Sequence, residues 1–123
     1  MEKKYVILAV DDSAANLQLL HGLLNSEYNL RLAKSGRQAI AALSKFRPDI
    51  ILMDIEMPDL SGFEVMDEIR KNPELVNIPV IFVTSHVDKE YLEKAAEYGA
   101  GDYVAKPFDP NVLRSAIQNV LSR

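Results

Sequence analysis

The stretch from Ile50 to Pro58 constrains the fold more than any other part of the sequence. Its first four residues, Ile-Ile-Leu-Met, contain no polar side chain, which is typical of a short strand that is buried on both faces of a sheet. Asp54 follows directly, and the proline four residues later marks a turn. The pattern therefore predicts that a carboxylate lies at the carboxyl end of a central strand.

Three other apolar runs also end in residues that can take part in chemistry. These runs, each with the residues that follow it, are Val6–Val10 with Asp11 and Asp12, Val80–Val83 with Thr84 and Ser85, and Tyr103–Ala105 with Lys106 and Pro107. In an open parallel sheet, ligands bind outside the carboxyl ends of the strands. The sequence therefore predicts that three carboxylates, a hydroxyl group and an ammonium group converge on one edge of the sheet.

Helical segments alternate with five strands along the chain. Two capping boxes, Ser35–Gln38 and Ser61–Glu64, each predict a helix start. In a capping box the side chain of the first residue accepts from the backbone N–H of the fourth, and the side chain of the fourth accepts from the backbone N–H of the first. Pro48 predicts the end of the second helix, and Asp109 followed by Pro110 predicts the start of the last one. This alternation predicts the α/β class, with a parallel sheet between two layers of helices.

The fourth helix, predicted from Asp88 to Tyr98, has a weaker inward face than the others. Its apolar stripe consists of Leu92, Ala95 and Ala96, and alanine side chains bury little apolar area. Because few apolar contacts mean low local stability, we expect this helix to pack less firmly on the sheet and to be more mobile.

Composition limits the classes of function. The 123 residues, 48 % of them apolar, suit one domain over residues 1–123. The absence of cysteine excludes thiolate metal sites and suits a cytoplasmic protein. A net charge of −4 argues against nucleic-acid binding. No apolar run is long enough to span a membrane, and the first residues lack the pattern of a signal peptide.

In their order and at their strand ends, these residues resemble the receiver domain of two-component response regulators. The residues on which the resemblance rests are Asp11, Asp12, Asp54 with Met57, Pro58 and Gly62 after it, Thr84, and Lys106 with Pro107. The resemblance extends from Val6 to about Leu121. It implies a flavodoxin-like (βα)5 fold of the CheY type, with five parallel strands in the order 2-1-3-4-5.

The resemblance also implies a phosphoacceptor site. Asp54 would accept a phosphoryl group from a histidine kinase or a phosphotransfer protein. Mg²⁺, for which Mn²⁺ can substitute, would be bound by Asp12, by Asp11 mainly through water, by Asp54 and by the backbone carbonyl of Glu56. Lys106 would bind a phosphoryl oxygen. Cations are needed because the charge of a carboxylate nucleophile repels the oxygens of an incoming phosphate.

The remaining implied roles concern switching and the lifetime of the phosphoryl group. Thr84 would bind a phosphoryl oxygen and move together with Tyr103, changing how the fourth helix, fifth strand and fifth helix bind a downstream target, a fused output domain or a second copy of the chain. Glu56 and His86, two residues after the acceptor and the hydroxyl, would tune the lifetime. Pro107 would follow a cis peptide bond.

Several other interpretations stay open from the residues alone. Taken singly, Asp11 and Asp12 would fit a helix N-cap. A phosphohydrolase could use Asp54 as nucleophile and Glu56 as acid, but that family usually has Thr or Val where this chain has Pro58. A flavin-binding module is disfavoured because the paired aspartates would repel the flavin phosphate.

A degenerate receiver that serves only as a scaffold is disfavoured by the intact set of five site residues. We therefore expect a signalling domain rather than an enzyme, limited to self-phosphorylation and slow self-dephosphorylation.

Overall fold

The computed structural model describes residues 4–123, which form a five-stranded parallel sheet covered by helices on both faces. The strands are β1 Val6–Val10, β2 Asn29–Ala33, β3 Ile50–Met53, β4 Val80–Thr84 and β5 Asp102–Ala105. The helices are α1 Ala14–Leu24, α2 Gly36–Leu43, α3 Gly62–Lys71, α4 Lys89–Glu97 and α5 Pro110–Leu121. The strand order is β2-β1-β3-β4-β5. The predicted α/β fold and its strand order are confirmed.

The core consists of two clusters, one on each face of the sheet. Leu8 and Val10 of β1 point to the side covered by α2, α3 and α4, whereas Ile7 and Ala9 point to the side covered by α1 and α5. Every residue of β3 is at most 1 % exposed, as expected for a strand covered on both faces. No helix within residues 4–123 has the length and apolar character needed to cross a membrane.

One predicted capping interaction and one predicted helix end differ from the structure. The Ser61–Glu64 capping box is present with both hydrogen bonds. At Ser35 only half of the predicted box forms, because the side chain of Gln38 accepts from the N–H of Lys34 instead of that of Ser35. The last residue of helix α2 is Leu43, so the helix ends well before Pro48 and the proline does not terminate it.

The predicted inward stripe of α4 is wrong at two of its three positions. Leu92 is 42 % exposed and Ala96 is also exposed. The helix instead turns Tyr91 and Tyr98 toward Phe63 of α3, and both rings stack on it with centroid distances of 5.9 and 5.5 Å. Tyrosine suits this position because its ring packs like an apolar group while its hydroxyl reaches the surface. The helix is therefore attached through aromatic contacts.

Candidate functional site

The register of the strands brings the predicted site residues to one edge. Val10 of β1 pairs with Met53 of β3, so the residues that follow them, Asp11 and Asp54, leave the sheet side by side. The N–H of Asp54 donates to the carbonyl oxygen of Val10 at 3.0 Å. Farther along the same edge, Thr84 of β4 pairs with Ala105 of β5, so Lys106 lies one residue beyond this pair. We call this side the carboxyl edge of the sheet.

Three acidic side chains meet at the carboxyl edge. One ligand oxygen from each of Asp11, Asp12 and Asp54 lies within 4.8 Å of the others. Asp11 is 3 % exposed and Asp54 8 %, whereas Asp12 is exposed. Charged groups are costly to bury unless they are paired. The cluster consists of hard oxygen ligands with repelling charges, which is a donor set that fits a divalent cation such as Mg²⁺.

Lys106 is the basic partner of two of these carboxylates. Its Nζ donates to Oδ2 of Asp11 at 2.6 Å and to Oδ2 of Asp54 at 3.2 Å, with 15 % of the side chain exposed. Desolvation by itself lowers the pKa of Lys106, but the hydrogen bond that it donates to Asp11 and the charge of Asp54 outweigh this effect and hold the pKa above its ordinary value. The ammonium group is therefore charged where it faces the acids. The peptide bond between Lys106 and Pro107 is cis.

Thr84 lies at the end of β4 and is completely buried. Its Oγ1 accepts a hydrogen bond from the N–H of His86 at 3.3 Å. Because the hydroxyl acts here as an acceptor, its own proton stays available for another oxygen. Oδ1 of Asp54 also accepts from a backbone N–H, that of Ile55, at 2.8 Å.

Tyr103 of β5 is turned inward, next to the loop that follows β4. Its hydroxyl donates to the carbonyl oxygen of His86, and its ring lies 6.2 Å from that of Phe82. Desolvation, with a smaller contribution from the charge of Asp88, raises the pKa of Tyr103 to about 12. The tyrosine thus links β5 to the segment that contains both Thr84 and His86.

Glu56 and His86 lie at the rim of the site and contact each other directly. Nε2 of His86 is 3.0 Å from one oxygen of the Glu56 carboxylate. The other oxygen accepts from the hydroxyl of Tyr91 at 3.3 Å, and the Tyr91 ring lies 4.9 Å from the imidazole. Desolvation and the charge of Glu56 raise the pKa of Tyr91, so this hydroxyl keeps its proton and remains a donor.

A groove of about 720 Å³ opens beside this rim, between the loop after β3 and helix α4. Among the residues that line it are Asp12, Glu56, Met57, Phe63, Tyr91 and Lys94. The open space lies next to the exposed carboxylate of the acidic cluster. It gives solvent and partner molecules a direct route to the carboxyl edge.

Sequence reasoning missed three residues around the site. Tyr91 was not predicted to face inward, because the apolar stripe of α4 pointed to other positions. Its spacing of seven residues from Tyr98, which places both rings on one face of a helix, was a usable signal. Asn16 donates to Asp11 at 3.4 Å. Asp59 accepts from the N–H groups of Gly36 and Arg37 and so attaches the loop after β3 to the start of α2. The latter two contacts join segments whose proximity no local pattern predicts.

Comparison with known proteins gives consistent matches. Residues 7–118 match the sequence profile of the family described as "Response regulator receiver domain". The chain is 39 % identical over 115 residues to a Vibrio cholerae protein named "Probable cyclic di-GMP phosphodiesterase", covering 94 % of this chain and 26 % of that protein. It is 38 % identical over 112 residues to the signal transduction histidine-protein kinase BarA of Escherichia coli, covering 90 % of this chain and 12 % of BarA.

Solved structures agree with the sequence matches. Chemotaxis response regulator CheY4 of Vibrio cholerae superposes with a TM-score of 0.89 at 31 % identity, covering 96 % of this chain and 99 % of that chain. The chain thus corresponds to a minor part of the two longer curated relatives and to nearly all of the CheY4 chain.

Proposed function

The chain belongs to the response regulator receiver domain family, and from this premise we propose that Asp54 is the residue that accepts the phosphoryl group. The observation that supports this assignment most strongly is the position of Lys106, whose ammonium group contacts both Asp11 and Asp54. Asp11 is also buried and in contact with this cation, but Asp54 follows β3, the middle strand of the sheet, and it is the residue that the family resemblance implies as the acceptor.

The proposed reaction is a displacement at phosphorus. A carboxylate oxygen of Asp54 forms the new O–P bond, while the bond from phosphorus to the donor breaks and the donor's nitrogen or oxygen leaves with the electron pair. Lys106 neutralises charge on the phosphoryl oxygens as they approach, because its Nζ is already 3.2 Å from Asp54. Thr84 contributes its free hydroxyl proton to another phosphoryl oxygen. Most of the rate enhancement comes from placement and charge neutralisation.

We propose that the cation of this site is Mg²⁺, with Mn²⁺ as a substitute. Asp11, Asp12 and Asp54 would hold it, together with the backbone carbonyl of Glu56. When bound, the ion supplies positive charge that offsets the repulsion between the carboxylates and the phosphate oxygens. Lys106 carries one positive charge and pairs with two of the three carboxylates, which leaves a net negative charge for the metal to balance.

Phosphorylation would be read out on the face formed by α4, β5 and α5. A phosphoryl group adds roughly two negative charges at the carboxyl edge. If Thr84 moves toward them, His86 loses its contact with Oγ1, and Tyr103, bonded to the carbonyl of His86, is free to repack. Phosphorylation then shifts populations between two arrangements of this face.

The partners that we propose follow from this role. A histidine kinase or phosphotransfer protein supplies the phosphoryl group, and a downstream target, a fused output domain or a second copy of the chain binds the switched face. We further propose that residues 1–123 form one receiver domain that acts in the cytoplasm. The net charge of −4 favours protein partners over nucleic acid. The chain would turn over only its own phosphoryl group.

Intact-mass measurement tests the acceptor assignment. Incubation with a small phosphodonor and Mg²⁺ is expected to add one phosphoryl group to the wild-type chain and none to Asp54→Asn. Asp67→Asn, which changes an exposed carboxylate on α3, is the matched control and should be labelled like the wild type. Equal labelling of Asp54→Asn and the wild type would overturn the assignment.

A further inference from the structure

Within residues 4–123, one side-chain hydrogen bond joins helix α4 to the loop after β3. Tyr91 lies in the first turn of α4 and donates to the carboxylate of Glu56, which comes two residues after Asp54. We propose, on the basis of the acceptor role of Asp54, that Tyr91 is a positioning residue that holds Glu56 away from the phosphoryl group and so prolongs its lifetime. The coupling makes the lifetime depend on the position of α4.

Glu56, in the loop after β3, is the carboxylate that we expect to assist hydrolysis of the phosphoryl group. Its side chain is exposed and borders the same groove as Asp12, beside the acidic cluster. In hydrolysis, water forms a bond to phosphorus, the bond from phosphorus to the Asp54 oxygen breaks, and the water must lose a proton. A carboxylate that reaches this water accepts the proton as a general base and speeds the reaction.

In the structure, both oxygens of the Glu56 carboxylate are occupied. One contacts Nε2 of His86 at 3.0 Å and the other accepts from Tyr91 at 3.3 Å. A carboxylate with two partners on the side of α4 has few orientations left from which it can reach the phosphoryl group. Removing one partner releases it toward the site.

Tyr91 is placed rigidly enough to act in this way. Its N–H donates to the side chain of Asp88, the N-cap of α4, at 3.1 Å. Its ring is stacked on Phe63 and packs against the imidazole of His86. The hydroxyl position is therefore fixed by α4, and any partner that displaces this helix also changes the restraint on Glu56. By linkage, the state of the acceptor and the binding of that partner influence each other.

Tyr91→Phe is the direct test, since it keeps the stacked ring and removes only the hydroxyl. After the phosphodonor is removed at constant Mg²⁺, the fraction of phosphorylated chain is followed by intact mass. We expect the variant to lose its phosphoryl group about two- to tenfold faster than the wild type, the range produced by the loss of one hydrogen bond. An unchanged or slower loss would overturn the proposal.

Tyr98→Phe is the matched control, because Tyr98 stacks on the same ring of Phe63 from the same helix while its hydroxyl faces Asp67. It should decay like the wild type, and an acceleration equal to that of Tyr91→Phe would contradict a specific role. In a Glu56→Gln background, Tyr91→Phe should have no further effect, since glutamine cannot accept the proton. Acceleration in that background would show that Tyr91 acts only through the packing of α4.

The design separates this inference from the acceptor assignment. If the wild-type chain takes up no phosphoryl group, the acceptor assignment fails and the inference fails with it. If the wild type is labelled at Asp54 but the decay rates of wild type and Tyr91→Phe agree, only the role of Tyr91 is refuted.

Discussion

Substitution of Gly62 by alanine tests how the end of β3 is joined to α3. A β-carbon added at Gly62 would lie 2.4 Å from the carbonyl oxygen of Asp54 and 3.0 Å from Cα of Ile55. The first distance is about 1 Å shorter than the roughly 3.5 Å at which such atoms normally touch. Because the N–H of Gly62 also donates to the carbonyl of Ile55 at 2.7 Å, the two segments cannot separate without losing that bond.

The expected cost of Gly62→Ala is that of overpacking a rigid site, about 1–3 kcal/mol. For a domain of this size, each kcal/mol lowers the melting temperature by about 4 °C, so we expect a decrease of about 4–12 °C. The clash involves the backbone of Asp54, the proposed acceptor. Phosphorylation of Asp54 should therefore also be slower in the variant.

Gly22→Ala provides a control for which we expect the melting temperature to rise instead of fall. Gly22 lies in α1 and is exposed, and outside the local helix backbone and its chain neighbours no atom lies within 4 Å of the added β-carbon. Alanine in a helix interior is favoured over glycine by about 0.5–1 kcal/mol, so this variant should melt about 2–4 °C higher than the wild type. Thermal unfolding followed by circular dichroism measures both changes. A Gly62→Ala chain that melts at or above the wild-type temperature would refute the reasoning.

Three further predictions concern the charges of the site. Millimolar Mg²⁺ should raise the melting temperature of the wild type by relieving carboxylate repulsion, and should do so much less for Asp12→Asn; equal shifts, or none, would count against a metal site. Lys106→Met should lower the free energy of unfolding without metal by about 3 kcal/mol in denaturant titrations, because Asp11 and Asp54 lose their cation; an unchanged midpoint would contradict this. Because burial raises the pKa of Tyr103 to about 12, its contribution to stability is complete below pH ~10 and is lost as the pH rises toward 12. Between pH 9 and pH 11, denaturant titrations should therefore show a larger decrease in the free energy of unfolding for the wild type than for Tyr103→Phe. Equal decreases would disprove this contribution of Tyr103.

The fold could be predicted because its pattern is local and repeated. Strands such as Ile50–Met53 are short apolar runs, and each is followed by a helical segment, so the parallel sheet follows from the order of elements. The acidic cluster was predictable for the same reason, since Asp11 and Asp54 come directly after strands that are neighbours in the sheet. The strand order itself came from the family resemblance and not from periodicity.

The details that were predicted wrongly depend on the surroundings of individual side chains. Leu92 is the more apolar side chain, yet it is exposed while Tyr91 and Tyr98 are half-buried, because the ring of Phe63 offers them a surface to stack on. Gln38 bonds to Lys34 instead of completing a capping box. The spacing of Tyr91 and Tyr98 is compatible with this arrangement but does not decide it, since each outcome depends on the surroundings of its side chains.

The most direct test of the account is to locate the phosphoryl group on the chain. Borohydride reduces an aspartyl phosphate to homoserine, so peptide mapping after phosphorylation and reduction identifies the modified position. The account predicts homoserine at position 54, dependent on Mg²⁺ and absent without the phosphodonor. Homoserine at position 11 or 12, or its absence from position 54 in a chain that has gained a phosphoryl group, would contradict it.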